Sequence, residues 1–175
     1  DDPLWTDEAC AGALNVIAQR ANLQYRRGVM QGIGADRWEL MEEAIEGHEY
    51  VLVLDSDAVV PPDFLLHSRD NIKAAKKDWG FIGHFGIDVL QPNGEGFNEM
   101  IRCRGNERNT HYAWQINGAL KNGLYPSNSC CGFCVWYRSG ALKEIKENAR
   151  RVMRYLSTGE DAALCLQLSS RFPCY

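Results

Sequence analysis

The sequence predicts a mixed α/β domain, and three observations carry that prediction. Tyr50-Val51-Leu52-Val53-Leu54 is a continuous apolar run rich in β-branched residues, the pattern of a buried strand. Segments with apolar residues at helical spacing stand on both sides of it, around Trp38 to Ile45 and Ala141 to Leu156. A second strand-like run, Phe133-Cys134-Val135-Trp136-Tyr137, follows later in the chain, so strands and helices alternate as in a layered α/β sandwich.

The elements follow in order. Thr6-Asp7-Glu8 precedes apolar positions Ala11, Leu14, Ile17 and Ala18, which suits a helix opened by a capping Thr and acidic first-turn residues; a short extended piece runs from Asn22 to Tyr25. Trp38, Met41, Ala44 and Ile45 mark a helix that Gly47 ends. The strand Tyr50 to Leu54 is expected to be buried on both faces of a parallel sheet. Pro61-Pro62 close the turn after it, and Asp63 opens a helix running toward Ala75. Gly80 to Gly86 reads as another strand, and the polar, Gly- and Asn-rich stretch from Gln91 to Ser129 as a substrate-facing loop region. A helix over Ala141 to Leu156 and a shorter one over Asp161 to Leu168 complete the chain.

A length of 175 residues fits one domain, 1–175, able to bury a core of its own. Its 45% apolar and 24% charged residues are ordinary for a folded domain, and no repeat or low-complexity tract interrupts it. The net charge of -4 argues against a surface that tracks nucleic-acid phosphates, which needs dense Lys and Arg. No apolar stretch reaches the roughly 18 residues of a membrane span, and Asp1-Asp2-Pro3-Leu4 has no signal-peptide pattern. Seven cysteines, an odd number, leave at least one thiol unpaired in the monomer. With no Asn-x-Ser/Thr site, this favours a reducing, cytoplasmic location, or the cytoplasmic face of a membrane, over a Golgi lumen.

Two acidic motifs carry candidate chemistry. Asp55-Ser56-Asp57 directly follows the strand Tyr50 to Leu54, and ligands of open α/β sheets bind beyond the carboxyl ends of strands. Two carboxylates one residue apart can meet one hard cation, Mg²⁺ or Mn²⁺, which takes its remaining oxygens from a diphosphate; the plainer alternative is a turn with solvated carboxylates. Gly159-Glu160-Asp161 opens the last helix, where Asp161 is either a helix cap or a general base for an attacking hydroxyl. Cys131-Gly132-Phe133-Cys134 has the spacing of a zinc or redox pair, but no second pair completes four ligands, so buried strand cysteines are the expectation. His84 and His111 read as packing residues.

The order of these motifs resembles the family 2 glycosyltransferases of the GT-A fold. The acidic opening Asp1-Asp2 with Thr6-Asp7 is similar to that family's, as are Gly47-His48-Glu49-Tyr50 leading through Asp55-Ser56-Asp57 to Asp63-Phe64-Leu65. Gly132 through Arg138-Ser139-Gly140-Ala141-Leu142 and Gly159-Glu160-Asp161 through Leu164 complete the resemblance. It implies a three-layer α/β/α sandwich with a mainly parallel central sheet whose first two strands are absent. It further implies a donor-binding part at about 1–90 and an acceptor and catalytic part at about 91–175.

By this resemblance Asp161 is the catalytic base and Glu160 supports the acceptor side. Asp1, Asp2, Arg37 and Asp55 contact the donor nucleotide, Asp55 and Asp57 hold the metal diphosphate, and Gly132 lies on the acceptor side. Read from their residue type alone, Trp114 and Trp136 either stack on an acceptor sugar or serve burial and loop packing. The implied reaction is an inverting transfer from a nucleotide-sugar, UDP by analogy, to a glycan, lipid or protein hydroxyl, assisted by Mn²⁺ or Mg²⁺. Two other readings stay open. The strand followed by Asp55-Ser56-Asp57-Ala58-Val59 also resembles a haloacid-dehalogenase-like phosphatase with Asp55 as nucleophile, and a GT-A-like module could bind nucleotide or metal without turnover.

Overall fold

The computed structural model describes residues 12, 15–16, 19, 21, 31–55, 58, 60–83, 87–90, 96–99, 124, 126–130, 132, 134–156 and 159–175. They form a mixed α/β structure: α1 (Ile33–Gly47), β1 (Tyr50–Leu54), α2 (Phe64–Ala74), β2 (Phe81–Gly83), β3 (Ile87–Leu90), β4 (Gly96–Glu99), β5 (Cys134–Arg138), α3 (Ser139–Met153) and α4 (Glu160–Ser169). The expected helix over Ala11 to Ala18 lies largely outside the described residues, as do Asn22 to Tyr25 and most of the stretch from Gln91 to Ser129.

The main sheet has the order β1-β5-β2, with β5 antiparallel to both neighbours. The expectation of a mainly parallel sheet is not reproduced by these strands, and the reason is topological. β1 and β2, joined across α2, run parallel to each other, as a helical crossover requires. β5 enters between them from the opposite direction, pairing Leu54 with Cys134 and Gly83 with Val135. Beyond β2 the tail follows in register: Gly80 N–H donates to Pro173 O at 2.8 Å, Tyr175 N–H to Phe81 O at 3.1 Å and Gly83 N–H to Tyr175 O at 2.8 Å.

One face of this sheet carries the core. Val135 and Tyr137 of β5 alternate inward with Val51 and Phe81, and meet Trp38, Met41 and Ile45 from α1, Ala141, Leu142, Ile145 and Ala149 from α3, and Leu164, Cys165 and Leu168 from α4. The helical periodicity read from the sequence is thus the set of positions that pack. β1 itself is not buried on both faces as expected: Val51 is buried, but Leu54 is 40% exposed because it ends at the rim. Among the described residues β1 pairs with β5 alone.

α1 starts at Ile33, five residues before Trp38, and its early turn explains how close it lies to α3. A Cβ on Gly34 would stand 2.6 Å from Met153 O and 2.9 Å from Leu156 O, so only glycine permits this approach. Farther along, Glu42 pairs with Arg150, and Glu46 with Lys143 and Lys146 at 3.3 and 3.0 Å. Within the expected loop region, β4 pairs with β3 from Ile87 with Glu99 to Leu90 with Gly96. No helix among the described residues is long and apolar enough to cross a membrane.

Candidate functional site

The carboxyl end of β1, the approach to β5 and the start of α4 meet at one rim of the sheet, and they do so through Arg37. This residue stands one turn beyond Gly34 on α1, so the close packing of α1 carries its guanidinium to the rim. Nη2 donates to Asp55 Oδ1 at 2.9 Å and Nη1 pairs with Glu160 Oε1 at 3.0 Å. Arg37 and Glu160 are mostly buried, with side chains 16% and 8% exposed, whereas the Asp55 side chain is 37% exposed. One cation therefore links the two acidic motifs that the sequence leaves far apart. The planar fork of Arg presents a separate nitrogen to each of the two carboxylates.

Asp161 joins the same rim. Its Oδ2 accepts from Gly132 N–H at 2.8 Å and its Oδ1 from Ala162 N–H at 2.7 Å, so two backbone donors hold the plane of the carboxylate. Gly132 fits there because it lacks a side chain: a Cβ would lie 2.7 Å from Asp161 Cβ and 2.8 Å from Arg37 Nη1. Gly159, in the left-handed region at φ 75°, turns the chain into α4 so that Glu160 and Asp161 occupy its first turn. Acidic residues are favourable at that helix end, and Asp161 does not cap it in the usual way, since its side chain serves Gly132 across the rim.

A regular ladder places Gly132. Ser169 Oγ donates to Asn128 O at 3.2 Å, Cys130 Sγ and Cys165 Sγ stand 3.4 Å apart, and Gly132 meets Asp161. Steps of two residues before β5 thus match steps of four along α4, in opposite directions. Two residues of extended chain advance ~6.6 Å and four of helix ~6.0 Å, so the two segments stay in step. Beneath the rim, Tyr137 is wholly buried, and that burial foremost raises its phenol well above the ordinary range. Cys165 and Cys130 push it the same way, while Arg37 opposes them. The Cys134 thiol is pushed up to about 11, first by burial and then by the Asp55 charge.

Of the residues singled out from sequence, Asp55, Arg37, Glu160, Asp161 and Gly132 are brought together. Asp1, Asp2, Asp57 and Trp114 lie outside the described residues, as do His84, His111 and Cys131. Arg37, expected to contact the nucleotide, pairs through Nη2 and Nη1 with the carboxylates of Asp55 and Glu160. Trp136 alternates away from Val135 and Tyr137, on the sheet face opposite the core helices; its Nε1 is buried without a hydrogen-bond partner among the described residues. Cys134 is a buried strand cysteine, as expected.

The positioning glycine Gly34 and the backbone N–H of Gly132 were not legible as such in the sequence. Among the described residues no three His, Cys, Asp or Glu side chains are grouped to hold a metal ion by themselves. No family model matches the chain, and neither a curated protein nor a solved structure does.

Proposed function

We propose that this chain is the catalytic part of a glycosyltransferase of GT-A type, moving a sugar from a nucleoside-diphosphate donor to an acceptor hydroxyl with inversion. The observation that carries the reading is the single guanidinium joining Asp55, at the end of β1, to Glu160, beside Asp161 at the start of α4. Donor-side and acceptor-side carboxylates then face one rim, as such a transfer needs. Asp161 is the base: each of its oxygens accepts one backbone N–H and keeps a further lone pair for an acceptor hydroxyl.

The charge at the rim also supports a metal-assisted donor. Asp55 and Glu160 pair with one guanidinium and Asp161 is held beside them by Gly132, a net negative site that would repel a bare diphosphate. Mg²⁺ is commonly held by one or two carboxylates together with substrate phosphates rather than by an all-protein cage. Asp55 fits that role, since its side chain is 37% exposed and only Oδ1 is engaged by Arg37; Asp57 would be its companion. When bound, Mg²⁺ or Mn²⁺ offsets the charge of the departing nucleoside diphosphate. Arg37 fixes Asp55 through Oδ1, and Gly132 keeps the base oriented.

The test is nucleoside-diphosphate release from UDP-, GDP- and dTDP-sugars by the full chain with Mn²⁺ or Mg²⁺. Release should need the metal. Asp161→Asn should lower it by about 10²–10⁴-fold while leaving donor affinity nearly intact, and Asp57→Ala should weaken both. Phosphate release from simple phosphomonoesters in its place would establish the phosphatase, and nucleotide binding without turnover the binding module.

A further inference from the structure

We propose that Cys130 and Cys165 form an oxidisable dithiol, a modification site at which a small disulfide such as oxidised glutathione installs an intramolecular disulfide across the ladder between the approach to β5 and α4. The two sulfurs are 3.4 Å apart across a sequence separation of 35 residues. A bond length of about 2.05 Å requires them to close by about 1.4 Å. Both are held by their neighbours. A Cβ on Gly83 would lie 2.3 Å from Cys130 Cβ and 2.8 Å from its Sγ, so the bare backbone of β2 is what seats Cys130 against α4. Cys165 is fully buried in the core cluster on α4. The rungs on either side, Asn128 with Ser169 and Gly132 with Asp161, fix the spacing between the two segments.

Exposure sets the order of events. Of the four described cysteines only Cys130 is partly exposed, while Cys134, Cys165 and Cys174 are buried. The Cys134 and Cys174 thiols are moreover pushed up to about 11, chiefly by burial, and compete poorly as thiolates. Cys130 attacks one sulfur of glutathione disulfide, breaking that S–S bond and releasing one glutathione. Cys165 then attacks the Cys130 sulfur of the mixed disulfide and releases the second glutathione. The protein loses two electrons and two thiol protons, and the small disulfide gains both as two thiols.

The consequence falls on the rim. Cys130 precedes Gly132 by two residues and Cys165 follows Asp161 by one helical turn, so the bond fastens the same two segments that the Gly132 to Asp161 hydrogen bond holds. The inference concerns thiol chemistry alone and does not depend on the transferase reading.

The test equilibrates the intact chain with graded ratios of oxidised to reduced glutathione, quenches with acid, alkylates the remaining thiols and maps the peptides. A Cys130 to Cys165 cross-link should appear with loss of two alkylatable thiols, should form without denaturant and should be reversed by dithiothreitol. Cys165→Ala should stop at a glutathione mixed disulfide on Cys130. If both cysteines stay alkylatable at every ratio, if Cys130 links to a different cysteine, or if the cross-link forms only above the unfolding transition in urea, the proposal is overturned; the unsubstituted chain decides this even if Cys165→Ala does not fold.

Discussion

Arg37→Met is the most direct probe of the rim, because it removes the one cation that Asp55 and Glu160 share among the described residues while keeping the length of the stem. Glu160 is then a carboxylate with an 8% exposed side chain and no cation at 3.0 Å. Breaking a buried ion pair by deleting one partner costs about 3–5 kcal/mol, whereas the more exposed Asp55 pairing, screened by water, adds at most about 1 kcal/mol. Against a typical total stability of about 5–15 kcal/mol, the loss is large. With a urea slope of about 2 kcal/mol/M, the unfolding midpoint should fall by roughly 2 M.

A double-mutant cycle separates charge from packing. Glu160→Gln in the Arg37→Met background removes the stranded charge and should regain about 1–3 kcal/mol, although the same change in the native chain is destabilising. Strictly additive effects, or a loss below about 1 kcal/mol for Arg37→Met, would refute the bridge as a structural link.

Three further outcomes follow from neighbouring residues. Gly132→Ala forces a Cβ to within 2.7 Å of Asp161 Cβ and 2.8 Å of Arg37 Nη1, and should cost about 1–3 kcal/mol in urea unfolding; an unchanged midpoint would mean that the rim is loose. Gly159→Ala meets no atom within 4 Å and so isolates the backbone cost of φ 75°. The melting temperature should drop by about 2–8 °C, for ~1–2 kcal/mol at ~2–4 °C each, with Gly159→Asn recovering part of it. In alkali, Cys134 and Cys174 keep their protons up to about 11 in the fold, above the value of 9.0 for a free thiol. Their contribution to stability is therefore fully present below pH 9 and lost as pH rises toward 11. Denaturant midpoints across that range should fall, and replacing Cys134 with Ala should flatten the decline.

Much of the fold was legible because local pattern and packing coincide. Trp38, Met41 and Ile45, and the run Val51 to Leu54, announce their elements through spacing that the core then uses. What escaped notice was written in glycines. Gly34 sits inside α1 and serves a close approach to two carbonyls of the α3 end, a role with no sequence signal of its own. The acidic residues Asp55, Glu160 and Asp161 were legible as site candidates from their places after a strand and at a helix start. The partner of two of them was not. Whether Arg37 meets a ligand or a carboxylate depends on which helix face Gly34 brings to the rim, a tertiary fact without a periodic signature.

The direction of β5 is the feature on which the rim depends, and it could not be read from an apolar run. Five residues of strand span about 17 Å at ~3.4 Å each. Were β5 parallel to β1, Gly132, two residues before Cys134, would sit at the far end of the sheet from Asp55, and α4 would have to start there to keep its bond to Asp161. Because β5 is antiparallel, Leu54 faces Cys134, and the residues that end β1 and precede β5 become neighbours. The ladder from Asn128 to Gly132 then carries that neighbourhood onto α4, rung by rung, to its first turn. Strand direction and helix register together bring the two acidic motifs to one guanidinium, and a shift of a single rung would carry Asp161 about one helical turn away from Gly132 N–H.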